Sequence, residues 1–292
     1  MRSRFYYIRP DSLTEALDFL KDNGSRTRIL AGGTDLLIEI REGSVKADYV
    51  LDVSRLADLR EIRRAGGHIR VGAAATYTEI IASPVIQQAA PLLAMAARCV
   101  GSVQIRNAGT LGGNVANASP AGDGIPPLIV HDALAEIRTG EEKRTVPVTD
   151  LITGPYTTGL KPGELITAFL LEPLKPGCRI SWQRVARRQS LSVARMNAAA
   201  TGEMDESGAV SSVKLSVGSV TPVCLRCSGA EQILLGKVPD EDHIAQAARA
   251  VSEVMVDISG VRPTTEYKRP AVEGLVIKAF RELFLQSEGE RR

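Results

Sequence analysis

Residues that build metal centres and covalent catalytic sites are scarce in this sequence. Its 292 residues include four cysteines, Cys99, Cys178, Cys224 and Cys227, and three histidines, His68, His131 and His243. The cysteines are too few for a disulfide scaffold, and the histidines lie far apart, without the spacing of metal ligands. These absences exclude a self-contained metal enzyme and a Cys/His nucleophile. We therefore expect any redox chemistry to belong to a bound cofactor.

The sequence also has almost no excess of one charge, few aromatic side chains and no long apolar run. Lys and Arg total 36 against 34 Asp and Glu, and there are five Phe, six Tyr and one Trp. This balance disfavours a nucleic-acid-binding surface. The longest apolar stretches, such as 91–97 and 125–130, are far shorter than the ~20 residues of a membrane span. The first residues contain no apolar core of a secretory signal, so we expect a cytoplasmic protein.

Short helix and strand patterns are mixed along the chain, which predicts an α+β fold. Apolar residues at helical spacing predict a helix over 13–20, and Gly66-Gly67 predicts the turn of a hairpin between strands 62–65 and 68–72. Residues 102–124 are the least periodic, and we expect them to be irregular. Further helices are predicted over 86–99, 244–256 and 271–285, further strands over 129–137, 165–171, 194–204 and 210–220, and a linker over 173–177.

A glycine pair follows the strand predicted at 28–31. Gly32 and Gly33 stand in the sequence LAGGTD, and a helix is predicted from Leu36. Two glycines let the backbone approach a ligand closely and direct successive N–H groups at an anion. A tight strand-to-helix turn without a ligand fits the same pattern, and both interpretations are open at this point.

A second glycine-rich segment spans residues 104–123. It holds four glycines, three asparagines and few bulky aliphatic residues, so it would be ordered best around a polar ligand. Glycine N–H groups, Thr110, Asn114 and Asp123 supply the donors and acceptors that suit a phosphate-bearing cofactor. A flexible surface loop is the alternative. Neither segment has the G-x-G-x-x-G spacing of a Rossmann site, and Gly236-Lys237 does not complete a Walker A loop.

The two segments together resemble the FAD-binding subunit of the molybdenum hydroxylases, the family of xanthine, nicotinate, quinoline, aldehyde and carbon monoxide dehydrogenases. AGGTDLL at 31–37 and QIRNAGTLGGNVANASPAGD at 104–123 carry the resemblance. It extends along nearly the whole chain, including the helix start at 10–16, the strand at 71–73 and GELI at 163–166. The length is similar to that of a stand-alone medium subunit.

The resemblance implies an α+β fold with two domains. A FAD-binding domain of the PCMH/vanillyl-alcohol-oxidase type would cover residues 1–176, in subdomains of about 1–55 and 56–176. A smaller α+β domain of the molybdenum hydroxylase flavoprotein type would cover 177–292. The flavin would lie between the two subdomains.

The resemblance also implies which residues bind FAD. The first segment would surround the diphosphate through backbone N–H groups, and the second would meet it from the other subdomain. Asp123 would lie at the flavin end, Ile166 against the ring system, and Gln183 or Arg184 where relatives carry a lysine. The full set is Leu30, Ala31, Gly32, Gly33, Thr34, Asp35, Leu36, Gly109, Thr110, Leu111, Gly112, Gly113, Asn114, Asp123, Ile166, Gln183 and Arg184.

The implied function is electron transfer, without a catalytic side chain or a metal ligand in this chain. A large molybdopterin-binding partner would oxidise the substrate, and electrons would pass through the [2Fe–2S] clusters of a small partner to this FAD. NAD+, O2 or a quinone would reoxidise the flavin. Some relatives carry an extra [4Fe–4S] cluster in a cysteine-rich loop, but no cysteine lies between Cys99 and Cys178, so that cluster is expected to be absent.

Three features fit more than one role. Cys224 and Cys227 form a C-x-x-C pair that we interpret as structural, with a redox pair or half a metal site as the alternative. Trp182 is assigned to the core, with stacking near the flavin as the alternative. The basic side chains Arg187, Arg188 and Arg195 fit a solvated or interface surface, or a site for an acidic acceptor such as NAD+.

Two other functions are compatible with the same fold. The chain could be a stand-alone reductase similar to the one that acts on enolpyruvyl-UDP-N-acetylglucosamine, but we find no serine and glutamate arrangement for its proton donor. It could also be a scaffold subunit that has lost its flavin. The intact glycines of both segments argue against that loss.

Overall fold

The computed structural model describes residues 5–188 and 192–286. The strands are β1 (Tyr6–Ile8), β2 (Thr27–Leu30), β3 (Tyr49–Asp52), β4 (Ile62–Ala65), β5 (His68–Gly72), β6 (Leu134–Arg138), β7 (Lys143–Pro147), β8 (Ile152–Gly154), β9 (Thr157–Thr158), β10 (Leu165–Leu171), β11 (Arg179–Ala186), β12 (Ala194–Met204), β13 (Val210–Gly218) and β14 (Leu225–Arg226). The helices are α1 (Leu13–Asn23), α2 (Leu36–Glu42), α3 (Tyr77–Ala82), α4 (Pro84–Ala89), α5 (Pro91–Arg98), α6 (Val103–Ala108), α7 (Leu111–Asn117), α8 (Ile125–Val130), α9 (Val148–Leu151), α10 (Ser228–Leu234), α11 (Glu241–Ser259) and α12 (Thr265–Phe284).

The chain forms two compact units. The first unit comprises Met1–Ala118 and Asp132–Pro173, and the second comprises Ser119–His131 and Leu174–Arg292. Each combines sheets with helices, which confirms the predicted α+β class.

A small parallel sheet opens the first unit, with the strand order β1-β3-β2. Helix α1 buries Leu13, Leu17 and Leu20 together with Leu51 of β3. The helix begins where the Ser12 hydroxyl accepts a hydrogen bond from the Glu15 N–H at 3.1 Å. This side-chain cap and the apolar spacing explain why the sequence predicted the helix correctly.

The second sheet of the first unit is antiparallel, with the order β4-β5-β10-β6-β7. Strand β10 lies at its centre and is buried along nearly its whole length, as its continuous apolar sequence predicts. Short helices α3 to α7 follow β5. Helix α3 begins with a capping box in which Thr76 and Glu79 bind each other's backbone N–H groups.

The second unit is built on the antiparallel sheet β11-β12-β13-β14. One face carries Met196, Ala198, Leu215 and Val217, which pack into one apolar core with helices α10, α11 and α12. Helix α8 packs against β12, β13 and β14 of the same sheet.

Several predicted elements match the structure and three are wrong. The hairpin β4–β5 and the strands β10 and β12 are confirmed. The helix predicted over 86–99 is two helices, because Pro91 has no N–H and starts a new one. Residues 102–124, predicted irregular, contain α6 and α7, each started by a hydroxyl cap. The strand predicted from 129 begins at Leu134, since the apolar run before it forms α8.

Candidate functional site

The first glycine segment connects β2 to α2. Gly33 has φ of +70°, a left-handed conformation that favours glycine. Within the described part of the chain, the backbone N–H groups of Gly32, Gly33, Thr34 and Asp35 donate no hydrogen bond to another backbone or side-chain group. The segment is half-exposed. Consecutive N–H groups without protein partners are the kind of backbone arrangement that binds a phosphate oxygen.

The second glycine segment uses its N–H groups differently. Leu111 and Gly112 donate to the carbonyl oxygens of Ala75 and Ala73 at 3.1 and 2.8 Å. The Gly113 N–H donates to the Thr110 hydroxyl at 3.0 Å, which caps helix α7. The first two bonds attach the segment to the residues that follow β5, and all three leave the N–H groups of Leu111, Gly112 and Gly113 engaged with protein. The Thr110 hydroxyl proton is one donor that this segment can offer a ligand.

The two glycine segments touch each other within the first unit. A β-carbon built on Gly32 would lie 2.0 Å from the Ala108 carbonyl oxygen and 2.9 Å from the Gly109 Cα. One built on Gly112 would lie 2.6 Å from the Ala73 oxygen. Glycine is required at both positions, because any side chain would push the backbones apart. The structure thus brings together two groups of residues that the sequence predicted to bind FAD, residues 30–36 and residues 109–114.

The remaining predicted residues lie at other places in the fold. Ile166 is buried in β10, opposite Ile137 of β6. Asp123 belongs to the second unit, where its carboxylate pairs with the Arg184 guanidinium at 3.3 Å and accepts a hydrogen bond from the Asn197 amide at 2.7 Å. Burial raises the pKa of Asp123, and Arg184 opposes that rise. The acceptor oxygens of Asp123 are therefore engaged by protein groups.

The structure separates Gln183 from Arg184. Neighbouring residues of β11 point to opposite faces of the sheet. Gln183 donates to the Ser181 hydroxyl at 3.0 Å and to the Glu282 carboxylate of α12, whereas Arg184 points toward Asp123. Of the two candidates, Arg184 is the one that shares a polar cluster with Asp123. The third member, Asn197, was not predicted, because nothing marks it within an alternating strand.

The sequence left two interpretations open for the C-x-x-C pair, for the tryptophan and for three basic side chains, and the structure gives their surroundings. Cys224 and Cys227 are buried thiols that form no disulfide, and burial raises the pKa of each to about 12. Among residues 5–188 and 192–286, no group of three or more His, Cys, Asp or Glu side chains could hold a metal ion. Trp182 is buried. Arg187 and Arg188 are exposed, and Arg195 lies over the Tyr267 ring at 5.9 Å.

Comparison with known families gives two matches that cover most of the chain. Residues 3–171 match the FAD binding domain in molybdopterin dehydrogenase. Residues 182–283 match the CO dehydrogenase flavoprotein C-terminal domain. None of the helices that the structure describes is long and apolar enough to cross a membrane.

Individual relatives are similar over their full length. The glyceraldehyde dehydrogenase medium chain of Sulfolobus acidocaldarius is 32% identical over 280 residues, covering 96% of this chain and 98% of the relative. The nicotinate dehydrogenase FAD-subunit of Eubacterium barkeri is 29% identical over 289 residues, covering 98% of each. Among solved structures, a chain of carbon monoxide dehydrogenase from Hydrogenophaga pseudoflava superimposes with a TM-score of 0.91 at 28% identity, covering 98% of this chain and 99% of that one.

These matches confirm the predicted family, cofactor and fold. The chain belongs to the FAD-binding medium subunits of the molybdenum hydroxylases, a family of oxidoreductase subunits.

Proposed function

We propose that this chain receives electrons from the [2Fe–2S] clusters of a small partner subunit and delivers them through FAD to NAD+, O2 or a quinone. A large molybdopterin-binding partner oxidises the substrate of the assembled enzyme. The observation that carries the proposal is the row of four consecutive N–H groups, from Gly32 to Asp35, that donate to no other group of the described chain. A diphosphate oxygen bound by several such donors forms charge-assisted hydrogen bonds.

The residues of the first unit have distinct roles in this proposal. The N–H groups of 32–35 hold the diphosphate, and the Thr110 hydroxyl donates from the adjoining segment. Ile166 provides an apolar contact for the flavin ring. We also propose that the chain consists of two domains, residues 1–176 and residues 177–292. Bound FAD supplies the conversion between single-electron and electron-pair transfer.

Electron transfer is favoured over the other two functions by the composition of the site. The groups that we assign to the diphosphate, the N–H groups of 32–35 and the Thr110 hydroxyl, bind and orient a cofactor but supply no general acid. The chain also covers 98% of two relatives whose names make them the medium chain of one dehydrogenase and the FAD-subunit of another. A subunit that works within such an assembly needs no proton donor of its own.

The test is anaerobic reduction of the assembled complex. The three subunits are co-purified, and glyceraldehyde, xanthine and nicotinate, the substrates named for relatives, are added in turn while absorbance is followed near ~450 nm. With the right substrate, flavin absorbance should fall after the cluster absorbance and return when an acceptor is added. A complex with Gly32→Val should reduce its clusters but not the acceptor, and Gly140→Ala should behave like the unmodified chain. Acceptor reduction without bound flavin would contradict the proposal.

A further inference from the structure

The sheet of the second unit has one apolar face and one polar face. In the register of its strands, Trp182 lies opposite Ala199, which lies opposite Ser216. In the neighbouring row, Arg184 lies opposite Asn197, which lies opposite Gly218. Directly opposed residues and residues two apart on a strand share a face. These side chains therefore belong to the face opposite the apolar core of Ala198 and its neighbours.

Three buried polar atoms on this polar face have no hydrogen-bond partner among the described residues. They are the Trp182 Nε1, the Asn197 Oδ1 and the Ser216 Oγ. Trp182 is 9% exposed, and Asn197 and Ser216 are 0% exposed. A buried polar group without a partner is costly, and three on one face of a sheet are unexpected in a well-packed protein.

The orientation of Asn197 is set by its neighbour. Its amide nitrogen donates to the Asp123 carboxylate at 2.7 Å, so its oxygen must point the other way. A β-carbon on Gly218 would lie 2.3 Å from that oxygen and 3.0 Å from the Cys224 sulfur. The oxygen thus lies above a glycine, and the adjoining row has only the methyl group of Ala199 between Trp182 and Ser216.

We propose that this face holds a tightly bound water molecule above Ala199, shared by Trp182, Asn197 and Ser216. The water accepts a hydrogen bond from the Trp182 indole N–H, donates one to the Asn197 oxygen and exchanges one with the Ser216 hydroxyl. Three such bonds are typical of buried waters. By satisfying Asn197, the water fixes the amide that holds Asp123 beside Arg184. Asn197 is then a positioning residue for that ion pair.

Two measurements on the assembled complex test this site. Trp182 is the only tryptophan of the chain, so a complex whose partners have had their tryptophans replaced reports on it alone. Ala199→Val should place methyl groups in the site, expel the water and shift the Trp182 emission maximum to the blue. Ala198→Val, on the opposite face of the same strand, should leave the maximum unchanged. An unchanged maximum in Ala199→Val would overturn the proposal.

The second measurement is independent of any variant. A crystal structure of the unmodified complex at a resolution that shows ordered water should contain a density peak within hydrogen-bonding distance of the Trp182 nitrogen and of at least one of the two oxygens. A site without a peak, or one filled by a moved side chain, would overturn the proposal even if the variants fail to fold.

Discussion

Gly32 and Ala108 lie in direct backbone contact, so close that a β-carbon on Gly32 would be 2.0 Å from the Ala108 carbonyl oxygen. The contact joins two segments that are far apart in the sequence. It places the uncommitted N–H groups of 32–35 beside the end of α6 and the Thr110 cap. This close approach by itself requires glycine at position 32, whether or not a ligand is bound. Because the same contact sets the spacing of the two segments, it also determines the shape of the ligand site.

Gly32→Ala should therefore abolish FAD binding while leaving the chain folded. The added methyl group must separate the two segments, because its closest neighbour is backbone and cannot rotate away. We expect flavin content to fall at least tenfold, with an unchanged far-ultraviolet circular dichroism spectrum. Gly140→Ala is the matched control, since its β-carbon would meet nothing closer than the Asp18 carboxylate at 3.7 Å. Full flavin content in Gly32→Ala would show that the contact is not needed.

Thr110→Val should weaken FAD binding and destabilise the first unit. Valine keeps the shape of threonine but removes the hydroxyl that accepts from the Gly113 N–H and is free to donate to a ligand. Loss of the cap should cost about 1 kcal/mol, and loss of one cofactor hydrogen bond should weaken affinity by up to about tenfold. Urea unfolding and FAD titration measure the two effects.

Ser12→Ala provides the comparison for Thr110→Val. It removes a similar cap, from α1, and Ser12 is not one of the residues that we assign to FAD binding. It should lower stability to a similar extent while leaving the FAD affinity unchanged. Equal losses of affinity in both variants would mean that Thr110 acts only through stability.

How much could be predicted from the sequence depended on whether the signal was local. The apolar run of β10 and the glycine turn of β4–β5 fix their own structures, and both were predicted correctly. The segment that holds α6 and α7 was not, because each of these short helices begins at one hydroxyl cap, and α7 also makes hydrogen bonds to Ala73 and Ala75, which are distant in sequence. Tertiary contacts of this kind leave no periodic pattern.

In the candidate site too, local sequence features were predicted and tertiary contacts were not. The glycine pairs identified both segments and the family. The sequence could not show that the N–H groups of Leu111 and Gly112 are already engaged, nor that Asp123 is paired with Arg184 and Asn197. These partners are brought together by strand register, and a change of one residue in register would reverse which of Gln183 and Arg184 meets Asp123.

Glu164 should make the chain sensitive to acid. Its carboxylate accepts two hydrogen bonds from Arg144, at 2.7 and 2.8 Å, and one from the Lys161 N–H. The Arg144 guanidinium lowers the pKa of Glu164 below its ordinary value of 4.5. The ionised form is thus favoured by folding, so its contribution is complete above the ordinary pKa and is lost as the pH falls through the lowered value.

Glu164→Gln should therefore lower the free energy of unfolding at pH 7 by about 1–3 kcal/mol. The difference from the unmodified chain should shrink as the pH falls below about 4.5. Denaturant unfolding at several pH values measures it. Glu142→Gln, which changes an exposed carboxylate in the β6–β7 hairpin that carries Arg144, should have little effect. If the difference in free energy of unfolding grew as the pH fell, it would contradict the stabilising role of ionised Glu164.

Cys224 and Cys227 should be chemically inert in the folded protein. With the pKa of each raised to about 12 by burial, roughly one thiol in ten thousand is ionised at pH 8. Iodoacetamide at pH 8 should leave both unlabelled until a denaturant is added, as mass spectrometry of peptides can show. The half-buried Cys99 and Cys178 serve as internal controls and should be labelled earlier. A native disulfide between Cys224 and Cys227 would favour the redox interpretation instead.

The central claim is that the paired glycine segments hold the FAD through which this subunit passes electrons. The most direct measurement is the visible spectrum of the co-purified complex before and after anaerobic addition of its substrate. We predict flavin bands near ~375 and ~450 nm that disappear on reduction, return on addition of an acceptor, and are absent from the Gly32→Ala complex. A flavin-free complex that still reduces the acceptor, or a Gly32→Ala complex with normal flavin bands, would contradict it.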